Sequence, residues 1–389
     1  CSPAVGIVAG MAATGVARVV VMVQENHTTD NYLRGLAPYG VNVATDWPIQ
    51  PNPPASDQPH DRHAYYRWLS GQRTATHTQF DTDRVLPYYA YLGLTGALLE
   101  NHCSGFGTNS TPNHLLLVGG QTPTLRNPPR SQPAPLWDMP SAPGLASEHG
   151  ISWRCYTASD DYPVGFYTQL KGSANLVSSD RFITDAAAGM LPRLCYLWHD
   201  SPRDEHPVAD VTIGQNAIRE AVDAVVQGGG WDSTVFLLTW DDWGGWDDHV
   251  ATPNIEYTPD GVQLAYGPRV PLLMFGGPVA PRIDSRWCSH VSIPKTALQL
   301  LGLPALGVSR LDEDPGLADL VDPTHRQPPP PAPGSPITLP APPQPARPPQ
   351  PPPPPPPGTP QPVGPVRLRN GKTLPPPNDT PIKINHIEA

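Results

Sequence analysis

Apolar runs in this chain repeatedly end in clusters of polar residues. Ala17-Arg18-Val19-Val20-Val21-Met22-Val23 is one such run, and Ser233-Thr234-Val235-Phe236-Leu237-Leu238-Thr239-Trp240 is another. Neither alternates apolar with polar, so both predict strands buried on both faces. Further strands are predicted at 151–156, 193–198 and 270–275. Over 214–226, Ile218, Ala221, Val222 and Val225 share one face of a predicted helix. Helices are also predicted over 88–99, despite Gly93 and Gly96, and over 296–301, stopped by Gly302. Strands that alternate with helices argue an α/β domain with a largely parallel sheet.

In open α/β sheets ligands bind outside the carboxyl ends of the strands. The first run leads there into Gln24-Glu25-Asn26-His27-Thr28-Thr29-Asp30. The second leads into Asp241-Asp242-Trp243-Gly244-Gly245-Trp246-Asp247-Asp248-His249. Carboxylates this crowded repel one another unless a cation neutralises them. A third segment, Asn109-Ser110-Thr111-Pro112-Asn113, enters the apolar stretch 114–118. A small-residue loop of that kind projects a hydroxyl at the start of a helix, where backbone N–H groups favour an anion. Glu25, Asn26, Asp241, Asp242 and a hydroxyl at Ser110 or Thr111 are oxygen ligands for one hard or borderline divalent cation. A hydroxyl bound to such a cation becomes a nucleophile at ordinary pH, and the chemistry that fits is attack on phosphorus.

Composition divides the chain. From Pro328 to Pro365, 22 of 38 residues are proline, which predicts polyproline-II character and too little apolar surface for a core. The expected organisation is an N-terminal remnant or tether at 1–16, a catalytic domain at 17–322 and a disordered Pro-rich tail at 323–389. The segment from Gln327 onward carries a net +3, which leaves −13 of the chain's −10 on the rest. A domain so acidic will not track a nucleic-acid backbone. The internal cysteines 103, 155, 195 and 288 are even in number and could form two disulfides in an exported protein. Cys1, followed by Ser2-Pro3-Ala4, fits a truncated chain or the lipidated N-terminus of a bacterial lipoprotein. No apolar run reaches the roughly 18 residues of a membrane-spanning helix. The expected location is therefore secreted or cell-envelope and bacterial, with a membrane or cell-wall tether through Cys1 or the Pro-rich tail.

The ordered motifs resemble the bacterial phospholipase C and acid phosphatase-type phosphoesterases. That family's first motif is similar to Glu25-Asn26-His27-Thr28-Thr29-Asp30, with His27 and Thr29 in place of its Arg and Phe. Its middle motif resembles Asn109-Ser110-Thr111-Pro112-Asn113 through Gly119. The late motif resembles Trp240-Asp241-Asp242-Trp243-Gly244-Gly245-Trp246-Asp247-Asp248-His249-Val250, followed by Gly267-Pro268-Arg269-Val270-Pro271. The resemblance implies an alkaline phosphatase-like three-layer sandwich with a mostly parallel central sheet. It implies one divalent metal ion held by Glu25, Asn26, Asp241 and Asp242, with Ser110 as ligand and nucleophile. His60 and His206 would steady the phosphoryl oxygens or protonate the leaving alcohol. Asp248, His249 and Asn113 would support the loops. The substrate would be a phosphate monoester or a phospholipid diester.

Two other functions compete. A sulfatase needs Cys/Ser-x-Pro-x-Arg, and both Cys1-Ser2-Pro3-Ala4-Val5 and Ser110-Thr111-Pro112-Asn113-His114 lack the arginine. A non-catalytic calcium-binding cell-surface protein with a Pro-rich stalk would use the acidic loop but has no need of Ser110.

Overall fold

The structure, a computed structural model, describes residues 15–71, 76–129, 134–158, 161–257 and 263–343. Both long apolar runs become central strands: β1 (Arg18–Gln24) and β6 (Thr234–Trp240). Between them in the chain lie β2 (Ala97–Cys103), β3 (Trp153–Thr157), β4 (Leu176–Ser178) and β5 (Leu194–Trp198). A separate antiparallel pair, β7 (Asn254–Tyr257) and β8 (Gln263–Ala265), precedes β9 (Leu272–Phe275) and β10 (Arg282–Ser289). The main sheet has eight strands in the order β10-β2-β9-β6-β1-β5-β3-β4. β9 runs antiparallel to β2 and β6, and every other neighbouring pair is parallel.

Period-two side chains explain the three layers. Val19, Val21 and Val23 enter one apolar cluster with Leu115 and Val118 of the helix Ser110–Gly119 and Ile293 and Ala297 of the helix Ser292–Leu301. Val20 and Met22 enter the opposite cluster with Leu92 of the helix Pro87–Thr95 and Ile218 and Val222 of the helix Val211–Gln227. Each aliphatic side chain buried this way contributes about 1.5–3 kcal/mol. A strand polar on either face would forfeit half of that, which is why the central runs do not alternate.

Two expectations change. The helix predicted over 88–99 stops at Thr95, and Leu98 and Leu99 belong to β2, where they face opposite clusters. Gly96 makes the break: a Cβ there would lie 2.5 Å from the Met274 carbonyl on β9. The four internal cysteines are free thiols, not disulfides. Arg154 pairs with Cys195 and Cys155 with Tyr196, so Cys155 and Cys195 differ by one residue in register and point to opposite faces. Cys103 opposite Ser289 and Cys288 opposite His102 repeat that offset.

The tail differs as well. Residues 327–340, expected to be unfolded, lie against the domain. Trp231 Nε1 donates to the Gln327 carbonyl at 2.6 Å, and Tyr39 Oη donates to that of Pro340 at 2.7 Å. Arg219 donates to the carbonyls of Pro331, Ala332 and Ser335 at 3.0, 2.5 and 2.6 Å. Ile337 and Leu339 pack on the cluster below Val20 and Met22. Polyproline-II backbone makes no internal hydrogen bonds, which leaves carbonyls free to satisfy donors on a folded surface; here a turn interrupts it, with the Ser335 N–H donating to the Ala332 carbonyl at 3.0 Å. The tether expected at Cys1 and the tail beyond 343 lie outside the described residues. Replacing Ile337 and Leu339 together by Ala should lower stability by about 1–2 kcal/mol per residue, the loss expected for partial burial. Denaturant unfolding of the variant against wild type measures it.

Candidate active site

β1 and β6 are neighbours with Gln24 opposite Trp240, so the residues that leave their carboxyl ends emerge side by side. The Asn26 backbone N–H donates to Asp241 Oδ1 at 2.9 Å. Asn26 itself has φ +65°, a left-handed conformation that asparagine tolerates better than most residues. Gly244 follows at φ +59°, and a Cβ there would lie 2.1 Å from the Asn26 carbonyl. Its N–H donates to Asp242 Oδ1 at 2.7 Å. The glycine pair thus lets the acidic loop fold directly onto the Glu25-Asn26 turn.

The helix that begins at Ser110 enters from the end of β2. Asn113 braces its approach, accepting from the Phe106 N–H at 3.0 Å and donating to the carbonyls of Phe106, Thr108 and Asn109. Ser110 Oγ donates to Asp242 Oδ2 at 3.4 Å. The adjacent Thr111 hydroxyl instead meets Tyr162 Oη at 3.1 Å. Of the two candidate nucleophiles, Ser110 is the one that faces Asp242.

The two histidines singled out by sequence come from separate loops, with ring centroids 6.4 Å apart. His60 places Nε2 4.0 Å from Asp242 Oδ2, while its Nδ1 meets the Gln58 carbonyl at 2.6 Å. His206 Nδ1 meets the Pro207 carbonyl at 2.7 Å, and Nε2 lies 3.0 Å from the Asn26 side-chain amide. The other end of that amide is 3.1 Å from Asp241 Oδ1 and 3.2 Å from Asp242 Oδ1. With nitrogen toward the carboxylates it donates to both; with oxygen toward them, three oxygens converge and require a cation between them.

Electrostatics point the same way. Burial, with repulsion from Asp204, pushes Glu25 up to about 7 against the opposing pull of His206. Burial and Glu25 push Asp241 to about 6, and burial and Asp241 hold Asp242 well above the ordinary carboxylate range. Burial disfavours a charged His206, but Glu25, the Pro207 carbonyl, Asp57 and Asp241 outweigh it and raise its pKa. Asp241 Oδ2 is buried without a hydrogen-bond partner. An orphaned carboxylate oxygen among raised carboxylates, beside an amide and a hydroxyl, is a donor set that fits a hard divalent cation. Glu25, His114 and Asp241 offer ligand atoms within 4.8 Å of one another.

Asp248 and His249 join a different cluster. Fully buried Arg269 reaches Asp248 Oδ1 at 2.8 Å and Asp30 Oδ1 at 3.3 Å, and His249 Nδ1 meets Asp30 Oδ2 at 2.6 Å. Here a resident guanidinium already supplies the positive charge. The tryptophans of the acidic segment also pack: Trp243 and Trp246 are buried, and Trp243 Nε1 donates to the His60 carbonyl at 2.8 Å, anchoring that loop.

The sequence model of the Phosphoesterase family matches residues 16–304. The chain belongs to the Phosphoesterase family. Non-specific phospholipase C6 of Arabidopsis thaliana is 30% identical to this phosphoesterase over 252 residues, covering 56% of this chain and 48% of the plant protein. Phospholipase C B of Mycobacterium tuberculosis is 24% identical over 204 residues, covering 45% and 39%. The chain spans about half, or less, of the length of the curated relatives it matches. Among solved structures, murine ectonucleotide pyrophosphatase/phosphodiesterase 5 superposes with TM-score 0.45 at 10% identity, covering 78% of this chain and 100% of that one.

Sequence reasoning missed three residues of this phosphoesterase's site. His114 Nε2 meets Glu25 Oε1 at 2.9 Å; its i+4 spacing from Ser110 was the available signal. His290 Nε2 meets the Asp241 carbonyl at 2.5 Å. Glu205 is wholly buried, accepting from Tyr89, Tyr32, Trp240 and Gln24, and so ties the His206 loop to the ends of β1 and β6. No local pattern announced the last two.

Arg269→Met should cost about 3–5 kcal/mol, because it strands buried Asp30 and Asp248; chemical unfolding measures this. Burial works against a charged His249, but Asp30 lifts its pKa above the ordinary value. The stability from that pair is therefore complete below about pH 6.5 and lost as pH rises through the raised folded value. Thermal unfolding across pH should show this alkaline loss in wild type and not in His249→Ala.

Proposed function

We propose that this phosphoesterase hydrolyses phosphoric esters through a phosphoserine formed at Ser110, with one divalent cation held by Glu25, Asn26, Asp241, Asp242 and Ser110. The observation that carries the reading is the Ser110 hydroxyl, 3.4 Å from Asp242 at the rim of three carboxylates whose protonation is favoured by burial and mutual repulsion. When bound, the cation offsets negative charge on the phosphoryl oxygens and lowers the pKa of the serine hydroxyl.

Ser110 Oγ gives up its proton to solvent and attacks phosphorus as the bond to the ester oxygen breaks. His206, whose pKa stands above the ordinary imidazole value, supplies the proton to the departing alcohol. His60, with Nδ1 engaged by the Gln58 carbonyl, turns Nε2 toward the same space and steadies a phosphoryl oxygen. Water then gives a proton to His206 and attacks phosphorus, the bond to Oγ breaks, Oγ takes a proton back from solvent, and the phosphoryl product leaves. The relatives named as phospholipases C support a phospholipid diester or another phosphate ester as substrate. A calcium-binding surface module would have no use for a serine hydroxyl and two histidines converging on the carboxylates.

Hydrolysis of p-nitrophenyl phosphate and p-nitrophenylphosphorylcholine tests the mechanism. Ser110→Ala should lose at least about 10⁴-fold in kcat, as removal of a nucleophile does elsewhere, while Thr111→Ala retains most activity. A chelator should abolish turnover; activity indifferent to both chelator and Ser110→Ala would sink the mechanism. Cation binding requires deprotonated carboxylates. With Glu25 raised to about 7 and Asp241 to about 6, affinity measured calorimetrically should rise with pH up to neutrality, with protons released on binding.

A further inference from the structure

Ser110 and His114 lie one helical turn apart, so the helix that presents the hydroxyl also presents an imidazole to the carboxylates. The ring is fully buried. Trp198, the last residue of β5, stacks on Tyr196 at 5.3 Å between centroids and directs its indole N–H to His114 Nδ1 at 3.2 Å. An indole nitrogen only donates. His114 Nδ1 must therefore be the acceptor, and the proton of the neutral ring sits on Nε2. A doubly protonated ring would set N–H against N–H, and a ring protonated on Nδ1 alone would do so as well.

That proton has one good destination. Nε2 lies 2.9 Å from Glu25 Oε1, with Asp241 Oδ2 further away at 3.5 Å. A protonated ring nitrogen has no lone pair to offer a metal. We propose that His114 is a positioning residue, held in the Nε2–H tautomer by Trp198 so that it orients the Glu25 carboxylate, and that it is not itself a metal ligand. The Trp198–His114–Glu25 relay thus removes the imidazole from the cluster of three groups near enough to share an ion. The proposal rests on the cation reading above. It specifies an all-oxygen donor set, the choice of a hard cation over one that prefers nitrogen.

Two measurements test it. In the metal-free wild type, ¹⁵N-resolved imidazole spectra should show His114 with its proton on Nε2 and a bare Nδ1. In Co²⁺ titrations followed by calorimetry and visible absorption, His114→Gln, whose amide can still donate to Glu25, should keep the wild-type spectrum and affinity. His114→Ala should bind more weakly by about 10- to 100-fold, the usual effect of removing a group behind a ligand, again with an unchanged spectrum. A proton on Nδ1 would overturn the proposal. So would a His114→Gln variant with an altered spectrum and an affinity as low as that of His114→Ala, since the imidazole would then be a ligand. Wild-type affinity in His114→Ala would overturn the positioning role. Folded wild type that binds no Co²⁺ would instead overturn the cation reading, and with it any role for His114 toward an ion.

Discussion

Three carboxylates gathered at the ends of two adjacent parallel strands cannot all be charged without help, and much of the surrounding architecture supplies that help. Glu25 and Asp241 offer oxygens within 4.8 Å of each other. At that separation and an effective dielectric of about 20, repulsion is roughly 3–4 kcal/mol for one pair. The donors that reduce it come from separate parts of the chain: the Asn26 and Gly244 N–H groups, the Ser110 hydroxyl and His114. Each therefore draws a different segment toward the same point. In the proposed mechanism the Ser110 hydroxyl, held among these groups, attacks phosphorus once a cation offsets their charge.

The acidic segment after β6 shows how the same composition serves two ends. Among the described residues, no arginine or lysine pairs with Asp241 or Asp242. Asp248 and His249 are engaged with Arg269 and Asp30, a network closed within the protein. What separates the two halves is the arginine, contributed from just ahead of β9. Removing it would leave two clusters seeking a cation.

Much of this was legible in the chain. Unalternating apolar runs at 17–23 and 233–240 mark β1 and β6, because a strand covered on both faces has no polar side to show. The crowding of Asp241 and Asp242 beyond one of them marks the site. Other parts were hidden for physical reasons. β2 was absorbed into a helix because Leu98 and Leu99 also suit helical spacing, and only the contact of Gly96 with β9 separates the two elements. Cysteine parity suggested disulfides, but pairing is decided by a one-residue register offset that no count reveals. Proline content suggested a loose tail, yet Arg219 and Trp231, far earlier in the chain, bind its carbonyls. His114 was one imidazole among many until β5 placed Trp198 against it.

The contact between Gly244 and Asn26 has an evolutionary consequence. Their loops carry partners 215 positions apart in the chain, joined where the Asn26 N–H meets Asp241. Any side chain at 244 would collide with the Asn26 carbonyl. Most residues other than glycine, asparagine or aspartate at 26 would in turn resist the left-handed turn that brings the carbonyl there. Drift at either position is thus conditional on the other, and the two motifs should be inherited as a linked pair.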